Sequence, residues 1–266
     1  MIHEEAITCP GQPRTESVLV VDGLKKRYGS VVALDGVTFA VARGEVFGIL
    51  GPNGAGKTTT LEIVEGLRRP DTGGVTLLGL DVVRSPRAVH ALIGVQPQAS
   101  ALFDNLTVRE TLDLFAALYP RSTDLARLID RLALGEKRNA RVKNLSGGQR
   151  QRLSVMVALV NEPQVVFLDE PTTGLDPQAR RELWSLVGEM RDEGMTIVLT
   201  THYMEEAEQL CDRVAIIDLG RIVATDAPRA LIRQLGFQST VECHVDAVQH
   251  LDQHLPEGRV HHEQQR

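Results

Sequence analysis

The sequence predicts an α/β fold whose core is a mainly parallel sheet covered by helices. Two observations predict it. Continuous apolar runs, "VFGIL" (Val46–Leu50), "VVFL" (Val165–Leu168) and "TIVLT" (Thr196–Thr200), read as strands buried on both faces. Segments with helical spacing alternate with the later of these runs, and strand–helix alternation folds as a parallel sheet with helices packed against it.

The elements follow in order. Residues 1–16 are polar, carry two prolines and are expected to be a disordered tail. Residues 17–235 are expected to form the folded domain. Between Ser17 and Leu50, "VLVVDGL", "VTFAVARG" and "VFGIL" read as short strands separated by glycines. A helix is predicted over Thr58–Leu67. Residues 100–162 read mostly as helices, broken at Pro120–Asp124 and around Lys143–Ser146. "VVFL" is the next strand. Pro177–Arg191 places Leu183, Leu186, Val187 and Met190 on one helical face, with Asp176 as N-cap and Pro177 at the first position. "TIVLT", a helix over Met204–Asp212 and the strand "RVAIID" (Arg213–Asp218) complete the alternation. Residues 236–266 read as a short extension and tail, in which "STVECHV" alternates like a strand.

Composition bounds the function. The chain has 266 residues, and 42% hydrophobic content supports a sizeable core. The net charge of −6 argues against broad non-specific nucleic-acid binding, so no nucleic-acid partner is expected. Cys9, Cys211 and Cys243 fit neither a metal spacing nor a disulfide framework, which points to a reducing cytosol. No apolar run approaches the ~20 residues that span a bilayer. The first residues carry acids where a signal peptide carries bases. Any membrane role is therefore expected to require a partner. His261 and His262 sit in a polar, acid-flanked stretch and are assigned no site.

Two stretches look built for phosphate. In "GPNGAGKTT", Gly51, Pro52, Asn53, Gly54, Ala55, Gly56, Lys57, Thr58 and Thr59 match the P-loop pattern between a buried strand and a helix. Its glycines let successive N–H groups wrap an anion, Lys57 brings a positive charge to the β/γ-phosphates, and the Thr58 hydroxyl can ligate Mg²⁺. Asp169, directly after "VVFL", would orient Mg²⁺. Glu170 beside it could polarise the attacking water as general base. The second stretch is "LSGGQ", in which Ser146, Gly147 and Gly148 open a helix whose free N–H groups suit an anion.

With these motifs in this order, the sequence resembles the ATP-binding subunits of ABC transporters over residues 18–230. "GPNGAGKTT" resembles their Walker A loop, "VVFLDEP" Walker B, and "LSGGQ", including Gln149, the signature that separates them from other P-loop ATPases. Gln98 in "IGVQPQ" resembles the Q-loop glutamine, in preference to Gln96. "GLD" resembles the D-loop, which includes Asp176. His202 in "TTHYMEEAE" resembles the switch histidine, and Tyr28 the aromatic residue that stacks on adenine. The resemblance implies a P-loop ATPase fold with an N-terminal antiparallel β subdomain and a helical subdomain at about 100–162. It implies ATP and Mg²⁺ as cofactors, with Gln98 sensing Mg²⁺ and the γ-phosphate and His202 acting at that phosphate or at the water. It also implies a pair of ATPase subunits, identical or different, closing head to tail over two ATP.

"DEPTTGLDPQARRELW" with "TTHYMEEAE" most resembles the ATPases of drug, antibiotic, lipid or polysaccharide exporters. In these the permease is a separate transmembrane chain, so a peripheral location on the cytoplasmic face of the membrane is expected. Ribosome-acting relatives fuse two ATPase halves with basic linkers, and DNA-repair relatives insert a long coiled coil. This sequence has one half, an acidic balance and no sustained heptads between Thr58 and Leu145.

Overall fold

The computed structural model of the chain describes residues 16–98, 102–120, 123–131 and 134–234. The tail expected before Glu16 and the extension expected after residue 235, including "STVECHV", lie outside the described residues.

The first sheet is antiparallel. It is built from β1 (Ser17–Tyr28), β2 (Val31–Ala42), β4 (Thr72–Leu77) and β5 (Leu80–Asp81), in the order β2-β1-β4-β5. Here the sequence reading needs correction. Gly29 and Gly44 separate strands as expected, but Gly23 and Gly36 lie inside two long strands. Gly23 and Gly36 adopt positive φ at register shifts between β1 and β2, so they bulge and twist the ribbon rather than end it. Strands β4 and β5 were not expected at all. Only Val75 and Leu77 of β4 are buried, and Gly73 approaches β1 so closely that a Cβ would lie 2.5 Å from the Gly23 carbonyl oxygen.

The second sheet comprises β3 (Val46–Leu50), β6 (Ile93–Gln96), β7 (Val165–Asp169), β8 (Thr196–Thr201), β9 (Arg213–Asp218) and β10 (Arg221–Asp226). Its order is β10-β9-β3-β8-β7-β6, and every pairing except β9 with β10 is parallel. Helices α1 (Lys57–Val64), α2 (Pro86–His90), α6 (Pro177–Asp192), α7 (Met204–Leu210) and α8 (Pro228–Gln234) alternate with the strands along the chain. The segment read as helical contains α3 (Val108–Ala116), α4 (Leu125–Arg131) and α5 (Gly147–Leu159).

Side-chain alternation along the buried strands divides the apolar residues between two cores. Phe47, Ile49, Val165, Phe167 and Val198 pack with α1 and the first sheet. Val46, Val166, Leu168, Ile197 and Leu199 face the opposite way, into a cluster with α3, α5, α6 and α7. The sheet is thus a partition with apolar layers on both sides, which explains why its strands read as unbroken apolar runs.

At the sheet edge, β6 touches α5 closely at Gly94. A Cβ on Gly94 would fall 1.8 Å from the Ala158 carbonyl oxygen. Gly94→Ala should therefore force strand and helix apart and cost about 1–3 kcal/mol, the usual range for overpacking. The check is the urea midpoint at unchanged slope; an unaltered midpoint would show that the contact can relax freely.

Candidate nucleotide site

Four adjacent parallel strands, β3, β8, β7 and β6, end on one edge of the sheet, and each delivers a predicted residue there. β3 runs into the loop at 51–56 and then α1. β7 ends at Asp169 and is followed by Glu170. β8 is followed by His202. β6 is followed by Pro97 and Gln98. The carboxyl ends of parallel strands are where open α/β sheets bind ligands.

Each residue reaches this edge for a local reason. Gly54 and Gly56 have positive φ, which lets the loop turn left-handed, and a Cβ on Gly56 would meet the Ala33 carbonyl oxygen at 2.7 Å. Lys57 begins α1 with its side chain folded back into the loop, where Nζ donates to the carbonyl oxygens of Gly51 at 2.9 Å and Pro52 at 3.2 Å. Glu170 adopts φ +45°, strained for a residue with a Cβ. Its backbone N–H donates to Thr200 Oγ1 at 2.9 Å, and the Thr200 hydroxyl in turn donates to Asp169 Oδ1. One buried threonine therefore positions both acids. The sequence reading missed it; its signal was a pair of hydroxyls, Thr200 and Thr201, ending an otherwise apolar run.

The Glu170 carboxylate is the hub of the site. Lys57 Nζ lies 3.1 Å from Oε1, with the two side chains 4% and 6% exposed. Gln98 Nε2 donates to Oε2 at 3.4 Å and the Thr173 hydroxyl donates to it at 3.2 Å. His202 Nδ1 lies 3.5 Å from the same oxygen without hydrogen-bond geometry, and it has no hydrogen-bond partner among the described residues. Lys57, Gln98, Glu170 and His202 therefore converge. The alternative glutamine, Gln96, does not reach the hub: its Nε2 donates to the adjoining Pro97 carbonyl oxygen at 2.6 Å.

Burial pushes the Asp169 carboxyl up from the ordinary range, opposed by hydrogen bonds from Thr200 and Thr58. A carboxyl and a hydroxyl facing each other at the base of a phosphate loop are hard oxygen donors, the type Mg²⁺ prefers. The buried cation, the glycine turn and this oxygen pair fit a metal-bound nucleotide.

The remaining predicted residues lie apart from the hub. Tyr28 ends β1, half-exposed, with Lys26 Nζ 5.8 Å and Arg68 Cζ 5.3 Å from its ring centre. Asp176 caps α6, its carboxylate accepting from the N–H groups of Gln178 and Ala179 at 2.9 Å each. Ser146 caps α5 in a reciprocal box with Gln149: Ser146 Oγ accepts from the Gln149 N–H at 3.2 Å, and the Ser146 N–H donates to Gln149 Oε1 at 3.0 Å. No hydrogen bond or ion pair among the described residues joins 145–149 to 51–59. Gly148 has a second reason to be small, because a Cβ there would lie 2.7 Å from Ala179 Cβ on α6.

The buried Lys57–Glu170 pair makes a testable energetic claim. Removing one member leaves the other charge buried without its partner, which costs about 3–5 kcal/mol in such pairs. Lys57→Met should destabilise the nucleotide-free protein accordingly, and adding Glu170→Gln should recover most of the loss. A double-mutant cycle by urea denaturation checks this, and additive effects would contradict the coupling.

The comparisons with known proteins agree with this geometry. The sequence pattern of the family described as "ABC transporter" matches residues 34–173. The chain is 47% identical over 222 residues to Nod factor export ATP-binding protein I of Paraburkholderia xenovorans (strain LB400), covering 82% of this chain and 73% of that one. It is 44% identical over 226 residues to daunorubicin resistance ATP-binding protein DrrA3 of Streptomyces coeruleorubidus, covering 83% and 72%. Among solved structures, the ATP binding subunit of an ABC transporter superposes with TM-score 0.74 at 32% identity, covering 83% of this chain and 94% of that one. The dimeric bacterial ABC transporter cassette MJ0796 superposes with TM-score 0.71 at 26% identity, covering 79% and 99%. The chain belongs to the ABC transporter family, as an ATP-binding and ATP-hydrolysing subunit.

Proposed function

We propose that this subunit is the motor of an exporter, in which two ATPase subunits, identical or homologous, close head to tail over two Mg²⁺–ATP and drive a separate membrane permease. The observation that carries the reading is the isolation of the Ser146–Gly148 helix start from its own phosphate loop. Its first amides are available as donors. Over the γ-phosphate held by a partner's loop they add charge-assisted hydrogen bonds, worth about 1.5–3 kcal/mol each. ATP then joins the pair and hydrolysis loosens it.

In this reading Gly51–Thr59 wrap the phosphates, Tyr28 stacks on the base, and Gln149 and Asp176 complete the facing surface. Thr58, Asp169 and Gln98 would hold Mg²⁺, which supplies positive charge against the phosphate oxygens. Lys57 has two competing acceptors, the Glu170 carboxylate and the nucleotide phosphate. When phosphate draws the ammonium away, Glu170 is left beside Gln98 and His202 with a free oxygen able to accept a proton from water. Glu170 is thus masked until substrate arrives.

Export is supported by the relatives named for Nod factor export and daunorubicin resistance. No described helix is long and apolar enough to cross a membrane, so a permease chain would supply the path and hold this subunit at the cytoplasmic face. A cavity of about 420 Å³ between β6 and the helical segment, walled by Val95, Leu102, Phe115, Tyr119 and Val157, offers that chain a docking groove. Pro97 lines it, and the next residue, Gln98, bonds Glu170. Seating in the groove can therefore act on the site.

The test combines two dead subunits in a Glu170→Gln background, with ATP trapping as the readout. Lys57→Ala removes one chain's phosphate clamp, and Ser146→Arg fills one chain's signature. Each homodimer then has two damaged sites, whereas the mixed dimer has one intact composite site. The mixed dimer should trap nucleotide at about half the level of the Glu170→Gln parent. A verified mixed dimer that traps no more than either homodimer would overturn the shared site.

A further inference from the structure

Glu206, in the first turn of α7, is the least exposed acid among the described residues, at 1%, and the proposed ATPase chemistry does not use it. Such burial is costly for a carboxylate unless polar groups surround it. They reach it here from three other segments. On α6, Trp184 Nε1 donates to Oε1 at 3.4 Å, and Arg180, one helical turn earlier, brings a positive charge close to the same carboxyl. The end of β8 contributes the Thr201 hydroxyl, and the turn after Glu170 contributes that of Thr172; both threonines are buried. Burial raises the Glu206 carboxyl above its ordinary range, and these four groups act against it.

Thr201 carries the effect of this carboxyl to the nucleotide site. Its Oγ1 accepts from the Tyr203 N–H at 3.0 Å, which closes a tight turn across His202. A hydroxyl that accepts there still has its one proton to donate, and Glu206 is the acceptor beside it. The turn is braced from α6 as well. Arg180 Cζ lies 5.0 Å from the Tyr203 ring centre, and the His202 ring centre lies 4.0 Å from that of Tyr203. His202 is thus packed on a side chain that α6 supports, with Nδ1 3.5 Å from Glu170 Oε2. On the other flank, Thr172 adjoins Thr173, whose hydroxyl donates to the Glu170 carboxylate.

We infer that Glu206 is a positioning residue of the ATPase site: its carboxylate fixes the turn that aims His202 at Glu170 and anchors that turn to α6. This rests on the reading of Glu170 and His202 as groups acting at the γ-phosphate. Glutamine is the discriminating replacement. It keeps the size of Glu206 but exchanges one acceptor oxygen for a donor. In either orientation of the amide, a donor then faces the Trp184 N–H or the threonine hydroxyls. The charge beside Arg180 is lost with it. The turn should loosen while the domain stays folded, and His202 should be aimed at Glu170 less of the time. Thr201→Val breaks the same link from its other end.

ATP hydrolysis by the full chain, assayed with the permease that purifies with it, tests the inference. Glu206→Gln and Thr201→Val should each lower kcat at least tenfold and leave KM for ATP within twofold. The double variant should be no slower than the slower single, because both act through one link. Long-range ¹H–¹⁵N spectra of the full chain report on the His202 imidazole directly. Its signals, assigned by their loss in His202→Ala, should shift in both variants. If Glu206→Gln does not fold, Thr201→Val and its spectrum carry the test alone. A kcat loss smaller than tenfold in a folded variant, a KM changed more than twofold, additive losses or unmoved His202 signals would overturn the positioning role and leave the proposed function standing. A His202→Ala chain that turns over at the parent rate would overturn the role proposed for His202 and the positioning with it.

Discussion

Parallel register is the constraint on which the rest of this molecule depends. Because β3, β8, β7 and β6 run the same way side by side, their carboxyl ends fall on one edge. The cation after β3 and the carboxylate after β7 then meet at 3.1 Å, buried from water. Reversing any of these strands would send its functional residue to the opposite edge. Both faces of the sheet must be covered to keep the strands in this register, and the two apolar layers do so, one with the first sheet and α1, the other with α5, α6 and α7. The ion pair is a consequence of that packing. Its members become strongly coupled because the layers exclude water from around them.

Much of this was legible in the residues, for physical reasons. A strand buried on both faces must be apolar throughout, so β3, β7 and β8 appeared as runs, and their ends marked where the functional residues would emerge. Elements with little buried surface left no comparable trace. β10 alternates exposed with half-buried positions and contains no fully buried residue, and the first half of β4 is an exposed threonine followed by two exposed glycines. Gly36 misled for the opposite reason. Glycine marks positive φ, and positive φ serves a bulge inside a strand as well as a turn after one. At the site, residue types were legible but their pairings were not. That Lys57 would meet Glu170, or that Thr200 would hold both acids, follows from strand order, which no local pattern encodes.

Gly148 shows how one residue can answer two demands. As an early residue of α5 it leaves its amide open to an anion. Its missing side chain also lets α5 pack against Ala179, in the first turn of the helix that Asp176 caps. A side chain at 148 would therefore disturb the signature and the start of α6 together. The two segments proposed to face a partner subunit thus lie directly against each other.

Helix α1 links the nucleotide site to the groove. It begins at Lys57, in the phosphate loop, and its C-cap is Glu65, in the groove lining. Eight residues at about 1.5 Å each span about 12 Å, too short a rod to bend appreciably. A second connection runs through adjacent residues, with Pro97 in the groove wall and Gln98 on the Glu170 carboxylate. A partner seated against Glu65 and Pro97 therefore holds both the foot of the helix that carries the phosphate clamp and the residue next to the one on the proposed general base. Changes in the Lys57–Glu170 pair would alter the groove through these same two connections. Because coupling free energy is reciprocal, a partner that favours one arrangement of the groove must change the affinity for nucleotide by the same factor that nucleotide changes its own.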